Sequence, residues 1–110
     1  MNENCMAKIE EVKENELSAA FPLFSQLNPT MKKETFRNNY ERTKRLEYKL
    51  FKATVCESNG ERVVRLIGYL FNEDLCIGRA MYVDVLVVDK NYRKKGVGKR
   101  LMDFAVSRLH

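Results

Sequence analysis

The spacing of apolar positions changes along this chain, and the changes mark its elements. Residues 7–12 (Ala-Lys-Ile-Glu-Glu-Val) read as a first, weakly patterned strand. Leu17, Ala20, Phe21 and Phe24 then recur at helical spacing and predict an amphipathic helix over 14–27. Pro22 falls inside it, where a missing N–H is expected to kink or end the helix. Asn28-Pro29 closes that segment, and Thr30 is placed to cap a second helix over 31–46. Glu34 sits in its first turn, where a carboxylate suits the helix dipole. Phe36 and Tyr40 give this helix only a narrow apolar stripe, so it reads as a surface helix.

The period then becomes that of a strand. Over 48–57, Phe51, Ala53 and Val55 alternate with Lys52, Thr54 and Cys56, as in a half-buried strand. Ser58-Asn59-Gly60-Glu61 follows, and Asn-Gly between two apolar runs predicts a hairpin. The returning run, 63–71, is more continuously apolar and therefore more central. A polar turn is expected at 72–74, leading through 75–79 to a further strand over 80–88. The last element is a helix over about 98–109, with Val97, Leu101, Ala105 and Leu109 on one face and Phe104 beside them. The predicted order is β-α-α-β-β-β-α, an α/β fold in which helices cover a mostly antiparallel sheet. No internal repeat, low-complexity stretch or linker interrupts it.

Composition narrows the class. With 110 residues, 45% hydrophobic and 32% charged, the chain reads as one folded domain, residues 1–110, with one core. No apolar stretch approaches the roughly 20 residues that span a bilayer. Met1-Asn2-Glu3-Asn4 is polar and opens no signal peptide, so a cytoplasmic location is expected, with no membrane partner. Cys5, Cys56 and Cys76 are odd in number and form no CxxC pair, which disfavours a zinc site or disulfide framework. The single histidine is His110, leaving no histidine-based triad or metal cluster within the chain, and no metal is expected. The formal charge of +5 admits anionic partners. Arg42, Lys44, Arg45, Lys49 and Lys52 read as a solvated helix face. A second cluster, Arg93, Lys94, Lys95, Lys99 and Arg100, has a special backbone context.

That context is a strand ending in a short polar turn, after which Arg93-Lys94-Lys95-Gly96-Val97-Gly98 opens the final helix. A helix N-terminus carries about four unpaired N–H groups and roughly half a positive charge. Glycines at 96 and 98 let the backbone turn sharply and let a phosphate approach those groups. The basic side chains add charge-assisted contacts. The combination reads as a pyrophosphate site. A Walker loop is excluded because no Gly-Lys-Ser/Thr follows the required gap, and a dinucleotide fingerprint lacks its third glycine.

Arg93-Lys-Lys-Gly-Val-Gly98, preceded by Leu86-Val-Val-Asp-Lys-Asn-Tyr92, resembles motif A of the GNAT N-acetyltransferase superfamily. Gln26-Leu-Asn-Pro29 and Gly78-Arg-Ala-Met-Tyr-Val-Asp84 resemble small members of it, including polyamine- and aminoglycoside-acetylating types. The resemblance implies acetyl-CoA as donor, a primary amine of a small molecule or peptide as acceptor, and direct transfer without an acyl-enzyme. It assigns the pyrophosphate to the turn at Arg93, Lys94, Lys95, Gly96, Val97, Gly98 and Lys99. The pantetheine arm and the acetyl carbonyl fall to backbone groups of Leu86, Val87 and Val88.

Asp84 is the acidic residue inside an otherwise apolar strand, expected to face the side of Tyr82, Leu86 and Val88 unless a bulge intervenes. It reads either as an acceptor-site residue that orients the amine or takes its proton, or as a structural carboxylate paired nearby. Burying it unpaired would be costly. Tyr82 reads as an aromatic lining the acceptor cleft rather than a catalytic acid. Cys76 lacks a histidine partner and is a poor nucleophile candidate.

The sequence ends at His110, where the family's domain normally continues with a strand, a helix and a hairpin. The expectation is therefore an N-terminal half with an exposed edge on strand 80–88, and self-association into a homo-oligomer. Two further readings stand beside the enzyme. One is a catalytically incomplete CoA-binding or regulatory module. The other is a nucleic-acid-binding protein, which only the net charge favours.

Overall fold

The computed structural model describes residues 8–92, so the predicted helix over 98–109 and the turn from Arg93 to Lys99 lie outside the described residues. The described elements are β1 (Lys8–Glu11), α1 (Leu17–Leu27), α2 (Lys33–Thr43), β2 (Tyr48–Glu57), β3 (Gly60–Asp74) and β4 (Gly78–Val88). Short 3-10 turns at Glu14–Glu16 and Lys90–Tyr92 lead into α1 and out of β4. The strands form one antiparallel sheet in the order β1-β2-β3-β4. No helix among the described residues is long and apolar enough to cross a membrane.

α1 buries Leu17, Ala20, Leu23 and Phe24 on one stripe and lies across β3 and β4. It runs unbroken through Pro22, which is exposed and sacrifices only one backbone hydrogen bond on the solvent side. α2 is shorter than its pattern suggested. Lys32, not Thr30, is its N-cap, and the Thr30 hydroxyl bonds the Asn28 side chain instead, at 3.3 Å. Phe36 anchors α2 by packing its ring 4.5 Å from that of Phe24.

Below α1, Leu50, Leu66, Val85 and Val87 form the sheet side of the main core. The opposite face carries a second cluster of Phe51, Ile67 and Tyr69, with Phe71, Met81 and Val83 packed around it. β3 is thus buried on both faces in its middle, which accounts for its continuous apolar run.

The first hairpin turns through Ser58 and Asn59, with Glu57 paired to Gly60. Gly60, which follows the two turn residues, has φ +123°, a conformation that a side chain would strain. The second hairpin corrects the sequence reading. Residues 72–74 are not a turn but the end of β3, pairing to Ala80, Arg79 and Gly78. The reversal comes later, at Leu75, Cys76 and Ile77, where the Asp74 carboxylate accepts from the N–H groups of Cys76 (2.8 Å) and Ile77 (3.1 Å). The basic run also divides. Lys49 and Lys52 lie on β2, and Lys52 is buried against Glu16, 2.9 Å away, rather than on a solvated helix face.

Candidate functional site

β3 and β4 fall out of step at one point. Gly68 pairs with Val85 while Tyr69 pairs with Val83, so Asp84 is the extra residue of a β-bulge. Without the bulge Asp84 would share a face with Leu86 and Val88. With it, Leu86 and Val88 stand opposite Ile67 and Arg65, whereas Asp84 turns to the α1 face above Gly68. It is exposed rather than buried, so no desolvated carboxylate has to be compensated there.

Tyr48, the first residue of β2, reaches across Gly68 and donates its hydroxyl hydrogen to Asp84 Oδ1 at 2.6 Å. A Cβ on Gly68 would lie 2.0 Å from that hydroxyl and 3.2 Å from Asp84 Oδ1, so the contact requires glycine. Burial, then the hydrogen bond and charge of Asp84, push the Tyr48 phenol well above its ordinary range. It therefore stays neutral and remains a donor. Among the described residues no cation pairs with Asp84, whose carboxylate keeps capacity for one.

Over this pair opens a cavity of about 380 Å³, between the sheet and the end of α1, the connection to α2 and α2 itself. Leu50 and Val85 floor it, and Phe24, Met31 and Phe36 wall it. Neutral polar groups come from Asn28, Asn39, Thr43 and Tyr40, while Asp84 is the one charged residue among its described lining. Thr43 is already committed, donating to the Tyr40 carbonyl at 2.6 Å. Tyr82 stands in the row Tyr48–Leu70–Tyr82, is 60% exposed, and lies outside the described lining of this cavity.

A second locus ends β4. The Asp89 side chain is nearly fully buried, accepting from Arg62 Nη2 at 2.8 Å and from the Asn91 N–H at 2.9 Å. Its own N–H donates to the Val64 carbonyl at 2.8 Å, and the Lys90 N–H donates to Gln26 Oε1 at 3.3 Å. Tyr92 donates its hydroxyl to Glu57, beside Arg62. Burial pushes the Asp89 carboxyl up, but the Asn91 N–H and the Arg62 guanidinium outweigh it and hold the group below the usual carboxylate range. These bonds fix the backbone three residues before the basic, glycine-containing segment begins. No strand among the described residues lies beyond β4, whose outer edge includes Leu86, Val87 and Val88.

The structure brings Asp84 and the β4 end onto one strand, and adds Tyr48, Gly68, Arg62 and Asp89, which sequence reasoning passed over. Gly68 had a signal: a lone glycine in an apolar strand marks a bulge or a close approach. Tyr48 and Arg62 had none, because their roles arise only from the register of β2 and β3.

Residues 13–110 match the family model described as the acetyltransferase (GNAT) family. No curated protein matches the chain. Among solved structures, the chain is similar to an acetyltransferase of Trypanosoma brucei at 23% identity and TM-score 0.69, covering 94% of this chain and 75% of that one. It is similar to glucosamine-6-phosphate N-acetyltransferase of Arabidopsis thaliana at 19% identity and TM-score 0.73, covering 93% and 73% respectively. An aminoglycoside N-acetyltransferase in complex with CoA gives 18% identity and TM-score 0.78, over 98% and 71%. At these identities the likenesses speak for the fold alone.

Proposed function

The chain belongs to the GNAT acetyltransferase family, and from that premise we propose that it transfers an acetyl group from acetyl-CoA directly to a primary amine held over Asp84. The observation that carries this reading is the bulge of β4, which aims into a cavity a carboxylate with no cation partner among the described residues and fixes it with the Tyr48 hydroxyl.

Acetyl-CoA would supply an activated thioester. Its pyrophosphate is assigned to the backbone and basic side chains of Arg93, Lys94, Lys95, Gly96, Val97, Gly98 and Lys99, and its pantetheine arm to the backbone of Leu86, Val87 and Val88. Asp84 receives the acceptor as an ammonium and orients it. An amine attacks a carbonyl only after losing a proton, and Asp84 takes that proton directly or through water; the C–N bond replaces the C–S bond, and CoA leaves as a thiolate that takes a proton from solvent. Tyr48 keeps the carboxylate in one rotamer and, being neutral, does not repel it. A backbone N–H at the end of β4 polarises the acetyl carbonyl, a role that needs no side chain.

Calorimetry with acetyl-CoA and thiol release with a panel of amines test this. Asp84→Asn is expected to leave acetyl-CoA affinity unchanged and to lower kcat/KM by about 100-fold. Gly98→Trp is expected to abolish acetyl-CoA binding. Cofactor binding with no thiol release across the panel would replace this reading with that of a CoA-binding module. Equal turnover in Asp84→Asn would make Asp84 a structural carboxylate.

A further inference from the structure

The cavity over Asp84 has a composition that selects among amines. Its described lining carries one carboxylate, no basic residue, and apolar or aromatic side chains over most of the remainder. The carboxylate is already oriented by Tyr48 and has no cation partner among the described residues. We propose that this cavity takes an acceptor with a single ammonium on an apolar body, an arylalkylamine in chemical class, and that it discriminates against polyamines, aminoglycosides and amino sugars. The proposal rests on the acetyl-transfer reading for the chemistry but makes a separate claim about binding.

The argument is one of matching groups. A first ammonium entering the cavity exchanges water for the Asp84 carboxylate, a charge-assisted contact. A second ammonium on the same molecule loses its water and meets no other carboxylate among the described lining residues. A sugar fares no better, because its hydroxyls need several free partners. Thr43 has given its hydrogen to the Tyr40 carbonyl, and the Asn28 side-chain oxygen already accepts from Thr30. The Asn39 side-chain oxygen likewise accepts, from Arg42 Nη1 at 3.4 Å, and the opposing surfaces are Phe24, Met31, Phe36, Leu50 and Val85. An apolar body gains by covering those surfaces, whereas a hydroxylated one forfeits hydration against them. The volume, about 380 Å³, falls in the lower part of the usual range for small-molecule pockets.

The test compares 2-phenylethylamine, spermidine, kanamycin and glucosamine 6-phosphate as acceptors, and measures binding of each by calorimetry without acetyl-CoA. The expected result is a kcat/KM for 2-phenylethylamine about 100-fold above that for spermidine or either sugar. Asp84→Asn should weaken 2-phenylethylamine binding by about 10-fold or more, since one charged contact is lost. Asn39→Asp combined with Arg42→Gln, which removes the guanidinium 3.4 Å from the Asn39 side-chain oxygen, places a second unpaired carboxylate on the wall and should shift the preference toward spermidine. Preferred use or binding of spermidine, kanamycin or glucosamine 6-phosphate by the unaltered protein overturns the proposal. So does binding of 2-phenylethylamine that Asp84→Asn leaves unchanged, or no binding of it at all. Asp84-dependent binding of 2-phenylethylamine without acetylation would support the acceptor class while removing the transferase reading.

Discussion

Gly68 has no side chain, and the phenol of Tyr48 occupies the space where its Cβ would be. Two residues 36 positions apart meet at that point, because Tyr48 and Asp84 come from the strands on either side of β3. Gly68→Ala is therefore expected to push Tyr48 off Asp84. An added Cβ would sit 2.0 Å from the hydroxyl and 2.9 Å from Cζ, so the ring must swing away. The stability cost of such overpacking is about 1–3 kcal/mol, read as a lowered unfolding midpoint in urea. Turnover should fall further than that loss of folded protein explains, by about 10-fold or more, because Asp84 loses its orienting donor. Unchanged turnover in folded Gly68→Ala protein would show that the Tyr48–Asp84 bond is incidental. At this scale the sequence disclosed Asp84 as a charge among apolar neighbours, and hid its direction. A bulge reverses every side-chain assignment that alternation makes downstream of it, and alternation alone does not show where one lies.

The end of β4 is an element whose geometry depends on ion pairing. Arg62 of β3 and the Asn91 N–H converge on the buried Asp89 carboxylate. Asp89→Asn removes the charge but keeps the shape, and is expected to cost about 1–3 kcal/mol at neutral pH. The folded carboxyl titrates below the free value of about 3.9, so its contribution is complete above that value and fades as pH falls through the folded one. The gap in urea midpoint between wild type and variant should then be constant from neutral pH down to mildly acidic conditions, and close in strong acid. A gap that persists in strong acid would assign the stabilisation to shape rather than charge. Strand positions were largely readable from apolar period, because packing on one or both faces imposes that period. The end of β3 was not. Asn72, Glu73 and Asp74 are exposed, and a strand running past the core needs only its backbone ladder, so its side chains read as a turn. Helix α2 likewise starts later than Thr30 suggested, since the Thr30 hydroxyl found Asn28 as its partner.

Across the whole molecule, the fold class followed from the order of elements, while the cavity over Asp84 followed from none of them singly. It forms where α1, α2 and the sheet meet, and its lining draws on residues from Phe24 to Val85. The sheet connects each strand to its sequence neighbour, β1-β2-β3-β4, but 36 residues and both helices separate the end of β1 from the start of β2. Between Tyr48 and Val88 every connection is a tight hairpin. Loop closure is cheapest for such neighbours, so the three-stranded meander is expected to zip before β1 docks. Pulse-labelled amide exchange during refolding should find Ile67 and Tyr69 protected earlier than Ile9, and simultaneous protection would contradict this order. The helices, anchored on the meander's surface, then close over a platform that already exists. By that sequence the carboxylate of the bulge is set in place before the walls around it arrive.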